Sequence, residues 1–175
     1  MKRDTAREIA AQIVFGAPAS GGSSEKFLEE FFSEEHFASL QEEGELYAEL
    51  PDKKAMDYIR GTVSGVFAHL EELDSLIEKY ARGWSVSRIS STARAILRVA
   101  VYEMRYAEDV PVSSAINSAV EIGKKYDDAD TVAFVNGVLG SIARSTGAAE
   151  ETGPAEETEP AEEIGPAEET EPFGE

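Results

Sequence analysis

The sequence predicts an all-α protein of about seven helices. Apolar residues recur at helical spacing in the segments long enough to judge, and no segment alternates as a half-buried strand would. Prolines and capping residues fall between the periodic stretches.

Asp4 can cap a first helix through about Phe15, with Ala6, Ile9, Ala10, Ile13 and Val14 on its apolar face. The stretch "APASGGSS" reads as a loop, and Ser24 can cap "EKFLEEFF". A weakly periodic acidic piece follows around "EEHFASLQEE". Pro51 opens a strong helical pattern, broken near His69–Glu71 into two and ended by Gly83. "STARAILRVAVYEMRYAE" is apolar on most sides, as a central helix would be, and the proline of "DVP" stops it. Ser113 or Ser114 can start "AINSAVEIGKKY", and Asp128 or Asp130 can cap the last helix, "TVAFVNGVLGSIAR". Asn136-Gly137 there is a hairpin-turn dipeptide, but neither flank alternates, so the helix wins. A glycine inside a helix costs about 1 kcal/mol relative to alanine. Close helix approach at Gly137, and a bond from Asn136 to neighbouring backbone, are the expected compensations. Gly61 and Gly65 likewise suggest a flat strip where two helices meet.

The chain of 175 residues divides into an expected helical domain, residues 1–147, and a tail, residues 148–175. The tail repeats "GPAEET" and "EPAEEI" with a period of six. Its proline and glutamate content cannot offset the entropy of ordering, so it reads as disordered. It serves as a solubilising extension or as an acidic arm toward RNA or a basic partner.

The net charge of −19 is unevenly placed. Residues 150–175 hold eleven glutamates and no basic residue, which leaves −8 on the rest. Residues 22–78 carry −11, whereas residues 79–149 stand at +2 and residues 1–21 at +1. A polyanion responds to that local balance rather than to the total.

The chain has no cysteine and only two histidines, His36 and His69, which excludes disulfides and thiolate chemistry and argues against a histidine metal site. Neither a signal peptide nor a membrane span is legible, and a cytoplasmic protein is expected. No phosphate-binding loop, zinc motif or nucleophile constellation appears, so neither catalysis nor a cofactor is expected. Arg94, Arg98 and Arg105 align along one helical edge. They can neutralise phosphates or pair with acids of residues 22–78. Lys2, Arg3 and Arg7 form a small N-terminal cluster.

Taken in order, the motifs resemble the NusB family of transcription antitermination factors. They are the N-terminal "TAREIAAQIVF", Trp84 and Arg88, Leu97-Arg98, Tyr102-Glu103, Asp109 to Pro111, Ile116-Asn117, Glu121, Lys124, and Phe134 to Leu139. The resemblance covers about residues 3–145, apart from 22–50. It implies two packed antiparallel helical subdomains and a non-enzymatic role. Its implied partners are boxA RNA of nascent ribosomal RNA transcripts, the small-subunit ribosomal protein NusE and the RNA polymerase antitermination complex. It also implies that self-association can use the surface that otherwise meets a partner. Carried over by position, the implied RNA-binding residues are Lys2, Arg3, Arg7, Asp130 and Phe134. Phosphate neutralisation, aromatic stacking and polar contacts to bases make that set chemically reasonable. Two departures weaken it: Asp4 and Thr5 interrupt the N-terminal arginine run, and Ser118 stands where the family usually has glutamate. One alternative is a scaffold of the same fold with weakened or lost RNA binding. Another, a fragment of an RNA cytosine methyltransferase, lacks the catalytic cysteine and α/β domain such enzymes need.

Overall fold

A computed structural model describes residues 1–17, 23–81 and 89–146. Within them lie eight α-helices, one 3-10 turn (Glu45–Tyr47) and no strand. The helices are α1 Arg3–Gly16, α2 Ser24–Phe31, α3 Glu34–Glu43, α4 Lys53–Ala68, α5 Leu70–Tyr80, α6 Ser91–Tyr106, α7 Val112–Tyr126 and α8 Ala129–Ser145. The weak acidic piece is a helix after all. Ser33 caps α3 by accepting the His36 N–H, and Phe37 anchors it in a cluster with Phe32 and Tyr47.

Several caps differ from expectation. Lys2, not Asp4, occupies the α1 cap position, and Asp4 turns its carboxylate to Arg7 and Ser118. Ser23 rather than Ser24 caps α2. Helix α7 begins at Val112, behind Pro111, instead of at a serine cap. Asp52, Ser90 and Asp128 cap α4, α6 and α8 through their side chains.

Helix α6 is central, packing on α1, α4, α5, α7 and α8. Ala93, Ile96, Leu97, Ala100 and Val101 are all nearly inaccessible, which explains the broad apolarity of that helix. Helices α1, α2 and α4 gather on one side, and α7 and α8 on the other. Of the two α4 glycines only Gly65 marks a close approach. The Tyr102 ring of α6 fills the space a side chain would need, whereas Gly61 is exposed. Gly123 of α7 allows a similar approach, a Cβ there lying 3.3 Å from Val132 of α8.

Candidate functional site

Three surfaces collect the residues with chemical potential. The first is the start of α1. Lys2 is exposed. Arg3 is half-buried, with Nη2 2.6 Å from Asp109 Oδ2 and its guanidinium 4.3 Å from the Tyr58 ring centroid. Arg7 is placed differently from what the resemblance implies, because only 3% of it is exposed. Its Nε donates to Glu103 Oε2 at 2.7 Å, and its Nη1 donates to Asp4 Oδ1 at 2.8 Å and Ser118 Oγ at 2.6 Å. Ser118 in turn donates to Asp4, and Tyr58 donates its hydroxyl to Glu103 Oε1. Burial opposes the charge on Arg7, but the hydrogen bond and charge of Glu103 outweigh it and hold the guanidinium above its ordinary pKa. Burial, then Glu103, pushes the Tyr58 phenol up. This clamp joins α1, α4, α6 and α7 and takes up Nε and Nη1 of the Arg7 guanidinium. The two departures in sequence, Asp4 and Ser118, touch each other within it.

The second surface is one face of α8. Asp128 accepts the Thr131 N–H at 2.7 Å and fixes the start of the helix. Asp130 is exposed in its first turn, and Phe134 one turn later is half-buried against the core. Together with Ala133, Gly137, Ser141 and Tyr80 of α5 they line a shallow groove. Lys79 Nζ lies 5.3 Å from the Tyr80 ring centroid. Among the described residues no helix closely approaches Gly137: the residue is exposed, and no described atom lies within 4 Å of where a Cβ would stand. Asn136 is exposed as well. The groove therefore unites Asp130 and Phe134, while Lys2, Arg3 and Arg7 belong to the α1 end. Helix α7 packs on both α1 and α8. Trp84 and Arg88 lie outside the described residues.

The third surface was not anticipated. Phe15 and Tyr126 are large side chains left 49% and 42% exposed. They flank a cleft between α1, α6 and α7 that Ala11, Ala95, Ile96 and Ile122 also line. Glu8, nearly buried, accepts from Lys125 Nζ at 2.6 Å and from the Tyr126 hydroxyl at 2.8 Å. Burial and that carboxylate push the Tyr126 phenol up to about 12. The available signal was Phe15 and Tyr126 at the last turns of two amphipathic helices, where burial ordinarily fades.

Arg98 and Arg105 resolve toward pairing. Arg98 makes a two-pronged contact to Asp74 at 2.7 Å, and Arg105 reaches Glu72 at 3.0 Å. Both acids come from the acidic stretch 22–78. Among the described residues no cluster of three metal-ligating side chains occurs, and no helix is long and apolar enough to cross a membrane.

Comparison with known proteins places these surfaces in context. The model of the NusB family matches residues 4–144. The transcription antitermination protein NusB of Symbiobacterium thermophilum is 39% identical over 144 residues, covering 82% of this chain and 90% of that protein. The Bacillus subtilis protein of the same name is 37% identical over 142 residues, covering 81% and 95%. Among solved structures, T. maritima NusB aligns with a TM-score of 0.66 and 29% identity over 82% of this chain and 92% of that one. A chain from the crystal structure of antitermination factors NusB and NusE in complex with dsRNA aligns with a TM-score of 0.63 and 27% identity, covering 82% and 96%.

Proposed function

The chain belongs to the NusB family, and we propose that it is a transcription antitermination factor that binds boxA RNA of nascent ribosomal RNA transcripts together with ribosomal protein NusE. It acts in the antitermination complex on RNA polymerase, in the cytoplasm, as a binding protein rather than an enzyme. A relative over nearly the whole domain is crystallised with NusE and RNA, and its fold is this one.

The observation that carries the reading is the α8 groove, where Asp130 and Phe134 share one accessible face. A half-buried phenyl ring held by the core offers a rigid stacking surface for an unpaired base. Asp130 accepts a hydrogen bond from a base amino group and repels phosphate, so it contributes selectivity. Lys2 and Arg3 supply positive charge at the α1 end. Arg7 positions that end and makes no RNA contact. The cleft between Phe15 and Tyr126 is the protein-binding surface, since an apolar hollow with an aromatic on each side suits a partner helix or strand. A second copy of the chain is its other candidate occupant. Residues 1–147 form the functional domain, and residues 148–175 are an acidic appendage outside the family match.

The ion pair of Arg3 with Asp109 and the burial of Arg7 favour a second reading, a scaffold that keeps NusE and has lost RNA. Anisotropy titrations of boxA RNA, with and without NusE and across a salt series, separate the two. The proposed function gives weak binding alone and markedly tighter, salt-sensitive binding with NusE. Capture of NusE with no RNA affinity at any salt selects the scaffold.

A further inference from the structure

The chain carries 35 acidic against 16 basic side chains, so most surface cations find a carboxylate. Arg98, Arg105, Lys124 and Lys125 each hold one. Lys2, Lys53 and Lys54 are exposed and form no ion pair with any described residue. They also lie together. Arg3 and Lys54 line one hollow between the starts of α1 and α4, floored by Ala6, Ala55 and Tyr58. Arg60 is exposed seven residues beyond Lys53, on the same side of α4. The carboxylates at the edge of this patch are engaged: Asp109 with Arg3, Asp4 with Arg7, and Asp52 with the α4 backbone. Asp57, between Lys53 and Arg60 along α4, forms no ion pair with either.

The complementary charge lies in residues 150–175, which hold eleven glutamates and no basic residue. The pairs Glu156-Glu157, Glu162-Glu163 and Glu168-Glu169 recur every six residues. The family match stops at residue 144, so what the family shares does not account for them. Glu168 follows Thr146, the C-cap of α8, by 22 residues, a span of up to about 70 Å when extended. A domain of this size has a radius of gyration of about 15 Å. The glutamate pairs therefore reach the whole surface, and charge selects where they rest.

We propose that the glutamate pairs of residues 148–175 dock on the Lys2–Arg3–Lys53–Lys54 patch of their own chain and compete there with other polyanions. A tethered segment meets its own surface at an effective concentration of about millimolar, so a contact too weak to hold a free peptide is about half-occupied. Such occupancy lowers the affinity of a competing polyanion about twofold at low salt and fades as salt screens it. A twofold change is about 0.4 kcal/mol, which leaves the unfolding temperature of the chain within about 1 °C. The docking stands independently of the RNA-binding reading; its consequence for RNA rests on that reading.

The full chain has no cysteine, so Ala167→Cys places a nitroxide spin label at one position only. Broadening of backbone amide NMR signals, recorded without RNA, then maps where the tail rests. The expected broadening concentrates on residues 2–3 and 53–60 and disappears at high salt. It also disappears in Lys53→Gln/Lys54→Gln, exposed substitutions that keep good helix formers. Broadening spread evenly over the surface, or unchanged by the double substitution, overturns the proposal. So does broadening of an isotope-labelled chain by a nitroxide on a second, unlabelled chain, since the tail would then seek another copy. The consequence for RNA is read from boxA affinity with NusE present. Ending the chain at Gly147 should tighten binding about twofold at low salt in the unsubstituted background and leave it unchanged in Lys53→Gln/Lys54→Gln. An equal gain in both backgrounds means general repulsion and overturns competition at the patch. Absence of boxA binding with NusE at any salt removes the RNA reading and, with it, the competition; the spin-label result still decides the docking.

Discussion

Whether Arg7 holds the protein together or holds RNA can be decided by breaking its partner. Arg7 and Glu103 are 3% and 1% exposed, and their charged atoms are 2.7 Å apart. Removing either leaves a charge with little solvent and an incomplete set of partners. In Glu103→Leu the guanidinium keeps Asp4, whose side chain is 80% exposed, and the Ser118 hydroxyl. In Arg7→Met the carboxylate keeps only the Tyr58 hydroxyl among the described residues. Breaking a buried pair from one side costs about 3–5 kcal/mol, whereas replacing both members with apolar groups of similar size costs far less. Each single variant should therefore lose about 3–5 kcal/mol in urea unfolding near neutral pH, a large share of a typical domain's stability. The double variant Arg7→Met/Glu103→Leu should lose at least about 2 kcal/mol less than the sum of the singles. Adding Tyr58→Phe removes a hydroxyl that has lost its Glu103 acceptor and retains only Thr62, and should recover up to about 1 kcal/mol more. An Arg7→Met variant that loses less than about 1 kcal/mol yet binds RNA much more weakly would refute this reasoning and return Arg7 to the RNA surface.

Four further outcomes follow from the same structure. Gly65→Ala should destabilise by about 1–3 kcal/mol in urea unfolding, because the new methyl meets the Tyr102 ring; a neutral result contradicts the packing described. In acid, Tm should hold down to about pH 5 and fall below it. Asp52, bonded to the N-terminal ammonium, Glu72, bonded by the Tyr106 hydroxyl, and Asp128, bonded by the Thr131 N–H, are held below their ordinary values of 3.8, 4.5 and 3.8. Stabilisation from a lowered pKa is complete above the unfolded value and is lost as pH falls through the folded one, so Asp128→Asn should flatten part of that decline. In alkali the sign reverses. Tyr126, raised from 10.0 to about 12, contributes stability that is present below 10 and lost as pH rises toward 12, and Tyr126→Phe should remove that part of the slope. A chain ending at Gly147 should unfold at the same temperature as the full chain. It should also bind RNA more tightly at low salt, a difference that vanishes at high salt, since eleven glutamates have been removed.

The helices were legible because periodicity reports burial directly: the apolar face read for α1 is the one found buried, and α6, apolar on most sides, is the central helix. Caps were legible only to within two or three residues. Ser23 and Ser24 are chemically equivalent, and which one caps depends on where the chain turns. Asp4 had the right chemistry for a cap and lost to a tertiary partner, because a buried arginine attracts a carboxylate more strongly than a solvated helix end does. The pairing of Arg98 with Asp74 and Arg105 with Glu72 was foreshadowed by charge balance alone. Of the site, Asp130 and Phe134 sit four apart on one helix, so sequence spacing placed them together. The burial of Arg7 was not legible, since Glu103 and Ser118 lie 96 and 111 residues away along the chain. The Phe15–Tyr126 cleft escaped for the same reason: it exists only where three helices separated in sequence come together.

In the proposed function the α8 groove reads RNA while the α1–α6–α7 cleft holds a protein. Anisotropy of labelled boxA RNA against the NusE-loaded chain, with a permuted RNA of equal length and with Phe134→Ala as the comparison, tests it most directly. The expected result is a clear preference for boxA over the permuted sequence that Phe134→Ala abolishes while NusE stays bound. Equal affinity for both RNAs, or a preference that survives loss of the Phe134 ring, would contradict it.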